Sequence, residues 1–259
     1  MSEASQSLER GGAIHPNSAT PLVSLRDIRL TFGSHQALRG VDLDIMPGEC
    51  LALLGDNAAG KSTLSKVISG TYIPDSGTIS VAGEVVRFSG PNDARSRNIE
   101  MVFQDLALCD HIDVVGNLFL GRELHKGPFL DQKAMLTRAQ EMLDALEIRI
   151  PRLTARVEKL SGGQRQAIAI ARAASFQPKV LIMDEPTSAL AVAEVEAVLS
   201  LINRVKAKGV GVVLITHRLQ DVFRVCDRAA IMYEGTKVAE RMIADTNLQE
   251  IVNLITGGH

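Results

Sequence analysis

The sequence predicts an α/β fold with a mainly parallel sheet and a small helical insertion. Three observations carry that prediction. Short apolar runs at 50–54, 179–184 and 210–216 lack the polar alternation of a sheet face open to water. Amphipathic stretches separate them, as strands alternating with helices require in a parallel sheet. A turn of small residues at 55–63 joins the first apolar run to the helix that follows it.

From Leu22 the text LVSLRDIRLTF alternates in part, as a half-buried strand does. Val41 to Ile45 alternates again, and Met46-Pro47-Gly48-Glu49 is a turn. Cys50 to Leu54 is a short buried strand, and a helix begins near Gly60. Residues 78–86 form another strand with a turn at Ala82-Gly83. The character then changes: at 131–146, DQKAMLTRAQEMLDAL sets Met135, Met142 and Leu146 on one helical face. This places a helical subdomain at about 106–160, inserted in a domain spanning 22–259. A helix then starts at Ser161-Gly162-Gly163, followed by a strand at 179–184. The next helix, over 191–208, carries Val192, Val195, Leu199, Ile202 and Val205 and stops at Gly209. Residues 210–216 give a last buried strand.

Composition narrows the function. The net charge is −2, the aromatic content is 3%, and there is no Trp, which together oppose a nucleic-acid surface. Cys50, Cys109 and Cys226 are odd in number and widely spaced, so buried free thiols in a reducing compartment are expected. No apolar run approaches the roughly 18 residues of a membrane span. Residues 1–21 have no apolar signal region and read as a disordered lead-in. A cytoplasmic chain is expected, with any membrane work done through a partner.

Gly55, Asp56, Asn57, Ala58, Ala59, Gly60, Lys61, Ser62 and Thr63 fit the phosphate-binding pattern G-x-x-x-x-G-K-[ST] in the strand–loop–helix setting it needs. Small residues let backbone N–H groups approach phosphate oxygens, and the helix adds the positive end of its dipole. Lys61 then faces the β- and γ-phosphates and Ser62 ligates Mg²⁺. Asp184 and Glu185 end an apolar strand, where α/β sheets hold ligands. In isolation they would be a solvated acidic pair before Pro186. Beside the matched loop, Asp184 completes the Mg²⁺ shell and Glu185 orients or deprotonates the attacking water. Ser161, Gly162, Gly163 and Gln164 make a capped helix start, ordinary by itself, that offers a second anion-binding end. Two such ends in one chain invite a composite site built from two subunits. His217 follows an apolar strand, where a histidine alone is more often packed or solvent-facing than functional.

Together these segments resemble the ATP-binding subunits of ATP-binding cassette (ABC) transporters, from about Leu22 onward. The resemblance implies an α/β P-loop NTPase with a RecA-like, mainly parallel sheet core, an antiparallel β subdomain and a small helical subdomain, using ATP and Mg²⁺. It makes Phe32 the aromatic that stacks on adenine, Gln104 the glutamine joining Mg²⁺ to the helical subdomain, and His217 the switch histidine near the γ-phosphate. Ser161, Gly162, Gly163 and Gln164 would touch the γ-phosphate held by a second copy. Asp184 would be a metal ligand and Glu185 the catalytic carboxylate. The stretches FQDLALCD (103–110) and DVVGNLFLGRE (113–123) further resemble bacterial importers of ribose-, xylose- and fructose-type sugars. Such a subunit would lie at the inner face of the membrane on transmembrane permease subunits, working indirectly with a periplasmic sugar-binding protein and with no nucleic acid. Another small-solute transporter is the nearest alternative. A cassette acting on nucleic acid or the ribosome is more remote, because roughly 100 residues separate Lys61 from Ser161 with no sustained heptad between them.

Two positions depart from the family pattern. Ala58 stands where glycine is usual; if φ must be positive there, alanine costs about 1 kcal/mol and ATP affinity falls. Ala191 stands where the family has an aspartate that couples the two sites, which leaves the coupling route open.

Overall fold

The computed structural model describes residues 20–257, so the lead-in expected over 1–21 falls almost wholly outside the described residues. In chain order the strands and helices are β1 (Val23–Phe32), β2 (His35–Ile45), β3 (Cys50–Leu54), α1 (Lys61–Ile68), β4 (Ser76–Val81), β5 (Glu84–Val86), α2 (Pro91–Ser96), β6 (Ile99–Val102) and α3 (Val114–Phe119). A two-residue pair, β7 (His125–Lys126) and β8 (Phe129–Leu130), precedes α4 (Gln132–Asp144) and α5 (Gly162–Ala174). Then come β9 (Val180–Asp184), α6 (Val192–Ala207), β10 (Gly211–Ile215), α7 (Leu219–Val225), β11 (Arg228–Tyr233), β12 (Thr236–Met242) and α8 (Leu248–Ile255).

The central sheet has the order β12-β11-β3-β10-β9-β6, parallel throughout except for β12 at one edge. Its middle strands β3 and β10, and β9 up to Asp184, carry no polar side chain because both faces are covered. Leu51, Leu53, Ile182, Val213, Ile215 and Met232 pack on one side with α1 and a second sheet. Cys50, Ala52, Leu54, Met183, Leu214 and Ile231 pack on the other with α3 to α8. The second sheet is antiparallel, in the order β2-β1-β4-β5. Its strands alternate buried and exposed positions, as a one-sided sheet should.

The stretch at 78–86 is not one strand but two. Ala82 (φ 51°) and Gly83 (φ 83°) turn the chain back, so β5 pairs antiparallel with β4. Along α6, Val195, Leu199, Ile202 and Val205 are buried as the spacing predicts. Val192 is the exception at 79% exposed, because the first turn of α6 projects beyond the core. Met135, Met142 and Leu146 are buried as expected. The cysteines are all free, but only Cys50 and Cys226 are buried; Cys109 is exposed in the polar turn after β6. A mixed pattern hid β6, α7 and β11 from the sequence reading. Among the described residues no helix is long and apolar enough to cross a membrane.

Candidate active site

The parallel strands all end on one side of the sheet, where the turn after β3, the segment after β6, Asp184, Glu185 and His217 lie. Gly55 leaves β3 with φ 147°, and a Cβ at that position would lie 2.2 Å from the Met232 carbonyl oxygen on β11. Only glycine lets the loop start this close to the neighbouring strand. Asp56 accepts from the Asn57 N–H at 2.7 Å, and its carbonyl accepts from Ala59 N–H at 3.2 Å. Ala58 adopts φ 65°, so the alanine at that position does sit in the left-handed region. Gly60 caps α1, and the first amides of that helix have no intrahelical acceptor. These are the groups that can meet an anion.

Lys61 reaches back over the loop and donates to the carbonyls of Gly55 and Asp56, each at 2.8 Å. Burial pushes its ammonium below the ordinary lysine range, against the opposing pull of Glu185, Asp56 and Asp184. Asp184 ends β9 and is pushed up, first by burial and then by the Glu185 charge beside it. One lysine therefore faces two neighbouring carboxylates, with Ser62 and Thr63 one and two residues on. A cavity of about 380 Å³ adjoins Asp56 to Ala59, walled by His35, Arg39 and Tyr233. Phe32, at the end of β1, is 45% exposed and meets Tyr72 edge-on at 5.2 Å, leaving ring surface free to stack.

Glu185 follows at φ 51°, held by its N–H to the Ile215 carbonyl at 2.9 Å. Its Oε2 is buried and accepts no sound hydrogen bond from the described residues, although His217 Nδ1 lies 3.0 Å away. The chain group within reach of this oxygen is the His217 imidazole, at ion-pair distance. The loop behind it is fixed by Thr187, which donates to Asp221 at 2.6 Å, and by Arg218, which pairs with Asp221 at 3.2 Å. This trio, buried at Thr187 and Asp221 and half-buried at Arg218, joins the segment after Glu185 to the one after His217. Gln104 lies exposed two residues beyond β6, whose register beside β9 carries it toward Asp184. Leu106 and Ala107, both at positive φ, present their carbonyls to Arg172 of α5 at 2.9 and 2.8 Å.

The helix start at Ser161, expected as a second anion-binding end, is closed on itself. Ser161 Oγ accepts from Gln164 N–H at 3.2 Å, while Gln164 Oε1 accepts from Ser161 N–H at 3.0 Å. This is a full capping box, so the Gln164 side chain is engaged in closing its own helix. The contacts of this segment run to α6, not to the phosphate loop: Gly162 lies against Leu190 and Gly163 against Glu194. Sequence reasoning missed Glu194, Arg172 and the Thr187–Arg218–Asp221 trio. Glu194 could have been noticed as a glutamate three residues past a helix start, but Ala191 removed the usual Ser or Thr of that signature.

Residues 38–188 match the ABC transporter family. The chain is 46% identical to the xylose/arabinose import ATP-binding protein of Sulfolobus acidocaldarius, over 91% of this chain and 94% of that protein. It is 42% identical to the fructose import ATP-binding protein of Rhizobium meliloti, over 92% of this chain and 94% of that protein. Among solved structures it resembles a nucleotide-free ATP-binding cassette from an ABC transporter, with TM-score 0.76, 26% identity, and coverage of 91% of this chain and 95% of that one. It also resembles a dimeric post-hydrolysis ATP-binding cassette bound to ADP and phosphate, with TM-score 0.72, 25% identity, and coverage of 85% and 98%. A phosphate loop, an acidic strand end and a capped second helix start on this sheet therefore have a family: the chain belongs to the ABC transporters, as an ATP-hydrolysing cassette ATPase.

Proposed function

We propose that this ATPase energises the import of a monosaccharide through a separate permease, working as two copies that enclose two ATP molecules. The observation that carries the substrate reading is that two relatives, matched over 94% of their own length, are named for importing xylose/arabinose and fructose. The two-copy reading rests on the separation of the two anion-binding ends, and a related cassette is a dimer with ADP and phosphate. The chain would sit at the cytoplasmic face of the membrane on two permease subunits. The helical insertion at about 106–160 would receive them, and a periplasmic sugar-binding protein would act through the permease.

In this reading the loop amides and Lys61 hold the β- and γ-phosphates, and Phe32 stacks on adenine. Ser62, Gln104 and Asp184 offer a hydroxyl, an amide and a carboxylate. Among the described residues no three His, Cys, Asp or Glu gather as a metal site. An all-oxygen set with one carboxylate fits Mg²⁺, which keeps waters and takes phosphate oxygens as its other ligands. When bound, Mg²⁺ neutralises the charge developing on the phosphates. Glu185 orients the attacking water and takes its proton, with His217 beside it toward the γ-phosphate. Ser161, Gly162 and Gly163 meet the γ-phosphate of the other copy.

The test is ATP hydrolysis by the chain assembled with its permease and sugar-binding protein. A monosaccharide should raise turnover several-fold, and Glu185→Gln should lower it by about 10²–10⁴-fold at unchanged assembly. Stimulation by a non-sugar solute alone would overturn the substrate reading. Normal turnover in Glu185→Gln would overturn the role of Glu185.

A further inference from the structure

The anion-receiving end of α5 already has an anion on it, supplied by the same chain. Glu194, on the first turn of α6, directs its carboxylate at the start of α5. Its Oε1 accepts from Gly163 N–H at 3.1 Å, and its Oε2 accepts from Ala191 N–H at 3.2 Å. The Ser161 hydroxyl also bonds this carboxylate and, with the two N–H groups, holds it below the ordinary glutamate range. Ser161 and Gly163 are two of the residues placed above against the γ-phosphate of the other copy. One carboxylate thus holds the hydroxyl and the amide that an incoming phosphate would need.

Packing also explains the glycine. A Cβ at Gly163 would lie 2.7 Å from Glu194 Cβ, 2.8 Å from Cγ and 2.9 Å from Cδ. The side chain of Glu194 lies flat across that residue, and nothing larger than glycine leaves room for it. Gly163 therefore serves a contact within its own subunit as well as any approach of nucleotide. Glu194 also stands nine residues past Glu185, at the far end of the loop that carries Ser188, Ala189 and Leu190. The carboxylate therefore ties α5 to the segment that leaves the hydrolytic glutamate.

We propose that Glu194 is a positioning residue that competes for α5: its carboxylate fills the anion-receiving end in the separate subunit and is displaced when the other copy's ATP arrives. The inference rests on the two-copy reading above. Two anions cannot share one hydroxyl and one amide, and like charges at that distance repel. Displacing Glu194 also frees the start of α6. The aspartate that the resemblance expects at Ala191 is absent, and the Glu194 bridge gives this chain a connection between α5 and the loop after Glu185 in its place.

The experiment measures ATP-driven dimerisation by analytical ultracentrifugation in the Glu185→Gln background, with and without Glu194→Gln. Glutamine keeps the length and the capping acceptor of Glu194 but removes its charge. We expect the double variant to dimerise at about tenfold lower protein concentration, the effect of removing one like-charge contact in a partly solvated site. ATP affinity of the monomer should stay as in Glu185→Gln, while Tm falls slightly because bonds to a charged acceptor become bonds to a neutral one; a merely structural role would lower Tm and leave the midpoint where it was. Glu194→Ala, which also gives up the cap, should lower the midpoint likewise while reducing Tm. If Glu185→Gln dimerises with ATP and Glu194→Gln leaves the midpoint unchanged or raises it, the competition is refuted and the two-copy reading stands. If Glu185→Gln does not dimerise with ATP, the two-copy reading fails and the inference falls with it.

Discussion

Ala58→Gly isolates the energetic consequence of an alanine in the phosphate loop. Ala58 is exposed and holds φ at 65°. An L-residue in that region gives up about 1–2 kcal/mol, whereas glycine adopts it freely. Glycine also has more freedom in the unfolded chain, which takes back about 0.4–1 kcal/mol. The difference leaves Ala58→Gly more stable by about 0.5 kcal/mol, with ~1.5 kcal/mol as the upper bound. An exposed methyl contributes little packing to set against this. In a domain of this size the gain corresponds to a Tm rise of about 1–2 °C. The consequence for ATP differs from the one the sequence suggested. Strain already present in the free loop cancels from binding when the loop keeps its conformation, since only a differential interaction shifts an equilibrium. ATP affinity should therefore stay within about twofold of wild type. Urea denaturation measures the first effect and titration calorimetry with ATP the second. Destabilisation by more than about 0.5 kcal/mol would refute the strain argument. A tenfold change in ATP affinity would show that the loop changes conformation at Ala58 on binding.

Two further outcomes test other parts of the molecule. Ser161→Arg should abolish turnover and ATP-driven dimerisation while ATP binding by the monomer persists; hydrolysis surviving the change would contradict a site shared between copies. Arg228 is 4% exposed and bonds Glu49 and Glu240, each at 2.5 Å, and the Asp44 carbonyl at 2.7 Å. Arg228→Met leaves Glu49 with the Met46 N–H at 2.7 Å and Glu240 with Lys237 at 2.6 Å, and should lower stability by about 3 kcal/mol at pH 7, mainly through Glu49, which loses its ion-pair partner. Burial pushes Glu240 up, but Lys237 and Arg228 outweigh it and hold its carboxyl below the ordinary range. Its contribution is therefore complete above its unfolded pKa and lost as pH falls through the lower folded value. The gap between wild type and Arg228→Met should narrow below about pH 5. A gap constant from pH 7 to pH 4 in urea denaturation would argue against the ion-pair account.

Much of this was legible in the sequence for a simple reason. A strand buried on both faces must be apolar at every position, so β3, β9 and β10 announced themselves as runs. The loop at 55–63 was legible because backbone approach to phosphate demands small residues in a fixed order. By contrast, β6 is four residues long with Glu100 in the middle, and Arg228 opens β11 with a buried charge. Nothing local says that Arg228 will find Glu49 and Glu240. The conformation of Ala58 was a conditional statement until its φ was known.

The sequence alone determined the strand–loop–helix order, the residues available to hold phosphate, and the carboxylates at the end of β9, because each depends on chain neighbours a few residues apart. Tertiary structure decided what lies against them. The parallel register brings the ends of β3, β6, β9 and β10 to one side of the sheet. It buries Glu185 Oε2 beside His217, and it lays Glu194 across the start of α5 from 31 residues away. Those are long-range contacts, fixed only when the core closes and the helices take their places around the sheet.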